Sequence, residues 1–347
     1  MKPVIGWDIG GAHVKAVMLD SQGEIVRVSQ QACALWKGLP LLEEAIQHIL
    51  QSWQAATYDH VVTMTGELVD LFDDRQQGVR AIAQTVQRYL PQAQIYRASA
   101  DRESSFTAEV TGIEGEVASM NWHASAQCLA TLIDQSSVLV LDIGSTTSDI
   151  TLCNQQRVRP AGWTDAQRMA QQTLFYTGVV RTPLMALGPT IAWQGRQRHI
   201  AAEYFATTAD VYRVLGELPA TYDLADTADG QGRSVEESMR RLARMVGHDY
   251  ADADQQTWLS LALAFKEQQL GVLMQAIQNM LTQAATAPTT LLGLGAGSFL
   301  AETLAQKLGL PYQAASALLS ATQGSLKKDA EVCFPAYAVA RLWQAWH

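Results

Sequence analysis

Two short apolar runs, each broken by one aspartate and closed by glycine, organise the chain. The first is Val4-Ile5-Gly6-Trp7-Asp8-Ile9-Gly10; the second is Val138-Leu139-Val140-Leu141-Asp142-Ile143-Gly144. Small and polar residues follow each, and then a second apolar run. Residues 7–19 and 141–153 align without a gap at an offset of 134. Apolar runs flanked by glycine predict buried strands, so each copy reads strand, tight turn, strand. Two copies at domain-sized spacing predict a duplicated fold with a cleft between its halves.

The pattern elsewhere alternates strands and helices. A turn at 20–23 leads to a third strand at 24–28. Leu42, Ala45, Ile46, Ile49 and Leu50 recur at helical spacing within 41–53. A strand is predicted at 60–65, a helix at 79–90 ended by Pro91, a short strand at 94–97 and a helix at 122–133. The order is that of an α/β chain. Residues 160–250 are richer in arginine, glutamine and helix formers and predict a mostly helical insertion. Within it, 227–233 has the composition of a mobile loop, and Ser234 followed by Glu237 forms a capping box. A long amphipathic helix is predicted at 256–282. Residues 290–300 read as a strand, the glycine turn Gly293-Leu294-Gly295-Ala296-Gly297, and a helix at 300–308. The predicted division is a first lobe at 1–135 and a second at 136–347 carrying the insertion.

Composition narrows the function classes. The 347 residues carry a net charge of −9, with 48 % hydrophobic and 17 % charged positions. An acidic balance argues against general nucleic-acid binding, and no apolar run reaches the roughly 18–20 residues a membrane helix needs. Asp8 interrupts the start where a signal peptide needs an unbroken apolar stretch. Cys33, Cys128, Cys153 and Cys333 stand far apart, which predicts buried free thiols and no zinc site. The expectation is a cytoplasmic enzyme acting on small molecules, without nucleic acid or membrane partners. A homodimer is expected because two-fold assemblies are the commonest.

The candidate chemistry lies in the glycine turns. Burying an unpaired carboxylate costs several kcal/mol, so Asp8 and Asp142 at matching places predict a shared cation, and Mg²⁺ suits carboxylates that leave it several waters. The turns Gly10-Gly11-Ala12-His13 and Gly144-Ser145-Thr146-Thr147 offer backbone N–H groups and hydroxyls to phosphate oxygens, and Lys15 adds positive charge. The turn with Gly293, Gly295 and Gly297 opens a helix, which favours anions or the close approach of a flat ring. A single such turn is a common strand end; the repeated set is far more specific. Glu67, in a loop at a strand end, and Asp149 are candidate catalytic carboxylates, though Asp149 serves equally to fix the turn's own N–H groups. Arg181 is suited to a carboxylate or phosphate. Residues Asp229, Gly230, Gly232 and Arg233 form either a lid or a plain linker. His13 and His123 are expected to be packed or hydrogen-bonded, His199 has no assigned role, and Trp7, Trp122 and Trp163 are expected in the core, Trp7 facing away from Asp8.

This set of turns resembles the actin/Hsp70/sugar-kinase superfamily, and more narrowly its hydantoinase/oxoprolinase branch. It is most similar to the family linked to tetrahydromethanopterin one-carbon metabolism, whose archaeal members are methanofuran-biosynthesis synthases. The resemblance is carried along the whole chain by 6–15, Met64-Thr65-Gly66-Glu67-Leu68-Val69-Asp70, Asn121-Trp122-His123-Ala124, 141–149, 176–183, 209–213 and 227–230. Gly66 stands where the family usually has alanine. The resemblance implies a two-lobe actin-like ATPase (ribonuclease H-like) fold. It also implies the condensation of a furanmethyl diphosphate with the phenol oxygen of γ-glutamyltyramine, releasing diphosphate. Two other classes share these loops: an ATP-dependent kinase or amide enzyme, in which ATP or ADP replaces the diphosphate substrate, and a non-catalytic nucleotide switch.

Overall fold

The apolar run that opens the chain is the middle of a six-stranded sheet. In this computed structural model, which describes residues 2–53, 58–133 and 137–347, that sheet is built from β1 (Val4–Ile9), β2 (His13–Leu19), β3 (Ile25–Ala32), then, after helix α1 (Pro40–Trp53), β4 (Asp59–Met64). Helix α2 (Arg75–Tyr89) leads to β5 (Gln94–Arg97) and β6 (Ser105–Thr107), followed by α3 (Glu114–Val117) and α4 (Asn121–Leu132). The order is β3-β2-β1-β4-β5-β6. The first two hairpins are antiparallel and β4 joins β1 in parallel, pairing Asp8 with Lys15 on one side and with Thr63 on the other.

Strand alternation sends the two faces of β1 to different partners. Ile5, Trp7 and Ile9 enter a core with Leu42 and Ile46 of α1 and Ile82 of α2. Gly6 faces the C-terminal helix: a Cβ there would lie 1.9 Å from the Ala336 carbonyl oxygen. Trp7 thus faces away from Asp8, as expected, and donates from Nε1 to His60 Nδ1 at 3.1 Å.

The chain continues through β7 (Ser137–Ile143), β8 (Ser148–Asn154), β9 (Arg157–Arg159), α5 (Asp165–Ala170), β10 (Leu174–Phe175), β11 (Thr190–Trp193), β12 (Arg196–His199), α6 (Thr208–Val214) and α7 (Val235–Met245). The long helix α8 (Gln255–Gln283) precedes β13 (Thr290–Leu294), α9 (Ser298–Leu308), β14 (Tyr312–Ala314), α10 (Ser325–Val332) and α11 (Phe334–Trp346). A second sheet has the order β10-β8-β7-β13-β14, with β9 on β8.

Two units result. One comprises Met1–Val140, Thr151–Gln171 and Gln313–His347; the other comprises Leu141–Ile150 and Gln172–Tyr312. The boundary drawn from the sequence at 135/136 lies outside the described residues. The C-terminal stretch belongs with the first sheet because α11 packs on β1, β2 and β4.

The segment at 160–250 departs from the mostly helical expectation. Beside α5, α6 and α7 it holds the hairpin β11–β12, whose two-residue turn places Gln194 at φ 51° and Gly195 at φ 71°. Those are the signs a primed turn requires. Residues 227–233, expected to be mobile, are tied down: Asp229 accepts from Arg241 at 2.9 Å and from Arg244 at 3.2 Å, and Arg233 donates to the Ala225 carbonyl at 2.9 Å. The capping box at Ser234 and Glu237 forms at the start of α7. The four cysteines are buried and free. No helix among the described residues is long and apolar enough to cross a membrane.

Candidate active site

The two Asp-Ile-Gly turns close in the same way. The Gly10 N–H donates to the His13 carbonyl at 2.9 Å, and the Gly144 N–H to the Thr147 carbonyl at 2.8 Å. Each unit therefore builds its own copy of the turn.

In the first unit the turn is braced by the residues just after β3, where the Cys33 N–H donates to the Ala12 carbonyl and the Leu35 N–H to the Gly11 carbonyl. Thr65 donates to the Ile9 carbonyl at 2.9 Å, which sets the Glu67 loop beside the turn. Gly66 packs closely here: a Cβ would lie 2.7 Å from the end of the Leu35 side chain at Cδ2, which can turn aside, and 3.4 Å from the Gly10 carbonyl carbon. Asp8 is 5 % exposed and its Oδ1 has no hydrogen-bond partner; Lys15 Nζ stands 3.9 Å from Oδ2. Burial raises the Asp8 pKa, and Lys15 pulls it back down. A buried carboxylate oxygen left over in this way fits a cation. Among the described residues no group of three or more His, Cys, Asp or Glu side chains forms a metal cage, so such an ion would be held by few protein ligands.

Glu67, in the same unit, is buried more deeply than Asp8. It is 1 % exposed, its Oε2 has no partner, and its Oε1 accepts from Ser119 Oγ at 2.6 Å. Burial pushes its pKa up to about 7; the Ser119 hydrogen bond and the Arg75 charge oppose that rise, and the Asp165 charge adds to it. Ser119, Asp165 and Arg75 went unnoticed in the sequence. Ser119 lies two residues before the Asn121-Trp122-His123-Ala124 stretch and carries no local signal, and its φ of 54° is a property of the folded backbone. Nearby, Arg168 lies 4.1 Å over the Trp122 ring, and the His123 ring centroid is 5.2 Å from that of Trp163. His123 shares a 2.8 Å hydrogen bond with the Tyr96 hydroxyl. Burial, aided by Arg168, lowers its pKa to about 4, so it is neutral and packed as expected.

In the second unit, residues 177–182 wrap the turn. Gly178 donates to the Thr146 carbonyl at 3.0 Å, Val179 to Gly144 at 3.0 Å, and Val180 and Arg181 to Ser145 at 3.1 and 2.9 Å. A Cβ on Gly178 would lie 2.4 Å from the Ser145 carbonyl carbon. Gln269 of α8 holds the Thr177 and Gly178 carbonyls, both at 3.1 Å. The third glycine turn lies against the same strand end: Gly297 donates to the Ile143 carbonyl at 2.8 Å, and a Cβ on Gly295, at φ 84°, would lie 2.7 Å from Asp142 Oδ1. Gly293 and Gly297 are likewise packed too tightly for a side chain, against Tyr312 and Ile143. All three glycines are thus required by packing, whatever the turn binds. Asp149 is buried opposite Leu174 of β10, and its neighbour Ser148 donates to the Thr177 carbonyl at 2.6 Å. His199 lies exposed on β12.

Comparison with known proteins follows the same lines. Residues 59–322 match the hydantoinase/oxoprolinase family. The chain is 28 % identical over 342 residues, 98 % of its length and 97 % of the relative's, to (4-{4-[2-(gamma-L-glutamylamino)ethyl]phenoxymethyl}furan-2-yl)methanamine synthase of Methanocaldococcus jannaschii. It is 25 % identical over 170 residues to the synthase of the same name from Methanococcus vannielii, covering 49 % of this chain and 76 % of that one. Among solved structures, component A of (R)-2-hydroxyglutaryl-CoA dehydratase from Acidaminococcus fermentans superposes with a TM-score of 0.51 at 9 % identity, over 99 % of this chain and 97 % of that one. A nucleotide-free acetone carboxylase reaches 0.54 at 11 % identity, over 88 % and 67 %. At such identities the likeness is one of fold alone, and the fold is α/β.

Proposed function

The chain belongs to the hydantoinase/oxoprolinase family, and from that premise we propose that it is a synthase of methanofuran-type cofactor biosynthesis in tetrahydromethanopterin-linked one-carbon metabolism. In this reading it joins a furanmethyl diphosphate to the phenol oxygen of γ-glutamyltyramine. The phenol oxygen bonds to the furan methylene carbon, the carbon–oxygen bond to diphosphate breaks, and its electron pair leaves with diphosphate. The phenol proton passes to Glu67. Similarity to the Methanocaldococcus jannaschii synthase along 98 % of the chain supports the reading.

The observation that carries it is the Glu67 carboxyl, buried, with Oε2 unpartnered and a pKa of about 7. A base poised near neutrality is what taking a proton from a phenol requires. Each of the turns 10–13 and 144–147 is, taken by itself, assigned to phosphate oxygens, Lys15 supplying positive charge to the first and Arg181 to the second. Asp8, with its unpartnered oxygen, is the residue assigned to Mg²⁺ in the first unit, and Asp142 is its counterpart in the second; a bound Mg²⁺ would neutralise diphosphate charge. Catalysis is then mostly electrostatic. Asp149, paired into β8, is assigned to holding its own turn.

The test is an assay for the ether product from furanmethyl diphosphate and γ-glutamyltyramine, run beside thermal melts with Mg²⁺-diphosphate and with Mg²⁺-ATP. Ether and diphosphate in equal amounts support the reading. Stabilisation by ATP alone, with no ether, would replace it with an ATP-dependent kinase or amide enzyme.

A further inference from the structure

The Ser119 hydroxyl stands between two carboxylates. It is 2.6 Å from Glu67 Oε1 and 3.2 Å from Asp165 Oδ2, and Arg75 Nη2 reaches the same Asp165 oxygen at 3.0 Å. One hydroxyl has one proton, so it donates fully to only one of these acceptors at a time. Its backbone is in the left-handed region at φ 54°, uncommon for a residue with a Cβ, and the parallel bridge between Met64 and Ala118 fixes the chain just before it. Glu67 is confined from the other side by α2, whose Gly78 leaves no room for a Cβ against the Glu67 backbone. The charged groups that act on the Glu67 carboxyl are Arg75 from α2 and Asp165 from α5. Such a strained, buried and asymmetric arrangement points to function more than to packing.

Resting on the assignment of Glu67 as the base, we propose that Ser119 and Asp165 are positioning residues that act on it in opposite senses. The Ser119 hydroxyl donates to Glu67 while Glu67 is ionised, and turns to Asp165 when Glu67 has taken a proton. The proton balance is closed. One proton arrives at Oε2 from the substrate hydroxyl, and the Ser119 proton changes acceptor without leaving its own oxygen. The hydrogen bond favours the ionised base before reaction. The Asp165 charge favours the protonated base after it and receives the released hydroxyl. Holding Oε1 in this way leaves Oε2 as the atom that meets substrate.

The two variants therefore have opposite signatures. Glu67 is titrated by carbon-13 NMR of its side-chain carboxyl in glutamate-labelled full-length protein, with the resonance assigned by its absence in Glu67→Gln. Ser119→Gly keeps the left-handed backbone without the hydroxyl, and the midpoint is expected to rise by about one pH unit. Asp165→Asn removes the like charge and leaves Arg75 unopposed, so the midpoint is expected to fall by a similar amount. The acid limb of kcat/KM should move with the same signs. Ser119→Ala gives the sign if the glycine variant is too unstable to titrate. Midpoints that stay put, or move together in one direction, overturn the proposal. The titration needs no turnover, so absence of the ether product would sink the proposed reaction while the midpoints still decide this point.

Discussion

Lys15 faces Asp8 directly across the first hairpin, with Nζ 3.9 Å from Oδ2 and donating to the Val332 carbonyl at 3.1 Å. The ammonium is near enough to offset the carboxylate's charge and too far to hydrogen-bond it well. Asp8 Oδ1 is left without a partner. In the repeat, Asp149 stands where Lys15 stands, so the two turns share a backbone and differ in charge.

The unpartnered oxygen of Asp8 and the matching position of Asp142 give the first prediction. Asp8→Asn and Asp142→Asn should keep the far-ultraviolet spectrum of the parent and lose Mg²⁺-dependent stabilisation by diphosphate. A ligand at 100 times its dissociation constant adds about 2.7 kcal/mol, which appears as a rise in Tm for the parent. An undiminished rise in either variant would remove that aspartate from the metal site.

Glu67→Gln should abolish turnover and change diphosphate affinity little. Its stability effect depends on pH. The folded pKa of about 7 lies above the ordinary 4.5, so the folded state binds the extra proton, and stability falls as pH rises from about 4.5 through 7. The full loss is roughly 3 kcal/mol above pH 7. The variant should therefore melt a few degrees above the parent at pH 8 and show no such gain at pH 4. The parent's kcat/KM should rise through pH 7 as the base ionises. A flat profile there would exclude Glu67 as the base.

Gly178→Ala should disrupt the second turn, since the added methyl would meet the Ser145–Thr146 peptide at about 2.5 Å. Loss of diphosphate stabilisation with a lowered Tm is the expected pair of results. Parent-like binding would show that the 144–147 turn does not hold phosphate.

Gly6→Ala should cost roughly 3 kcal/mol or more, because α11 must move off β1. Gly115→Ala, within α3 and with nothing within 4 Å of the added methyl, should be neutral or stabilise by up to about 1 kcal/mol. Urea melts of the two variants make the comparison.

Asp229→Ala should release residues 227–233 by removing the Arg241 and Arg244 ion pairs. Trypsin should then cut after Arg233 faster than in the parent, with little change in Tm. Equal cutting rates would mean that other bonds hold the loop.

The sequence by itself determined the repeat. Asp-Ile-Gly at residues 8–10 and 142–144 is a local code for strand, tight turn and strand, and the matching hydrogen bonds at Gly10 and Gly144 follow from it. The long helix at 255–283 and the α7 capping box were equally legible, since both rest on spacing along the chain. The hairpin at 190–199 was written in Gln194-Gly195 but masked by an arginine- and glutamine-rich composition. Only the tertiary structure brought Ser119, Asp165 and Arg75 to Glu67, because they come from three separate segments and meet through β4 and the elements packed on it. It alone explained why Gly178, Gly293, Gly295 and Gly297 are glycine, since each is dictated by a neighbour distant in sequence. Periodicity records which face of an element is buried; it does not record what that face meets, and a carboxyl's proton affinity is set by what it meets.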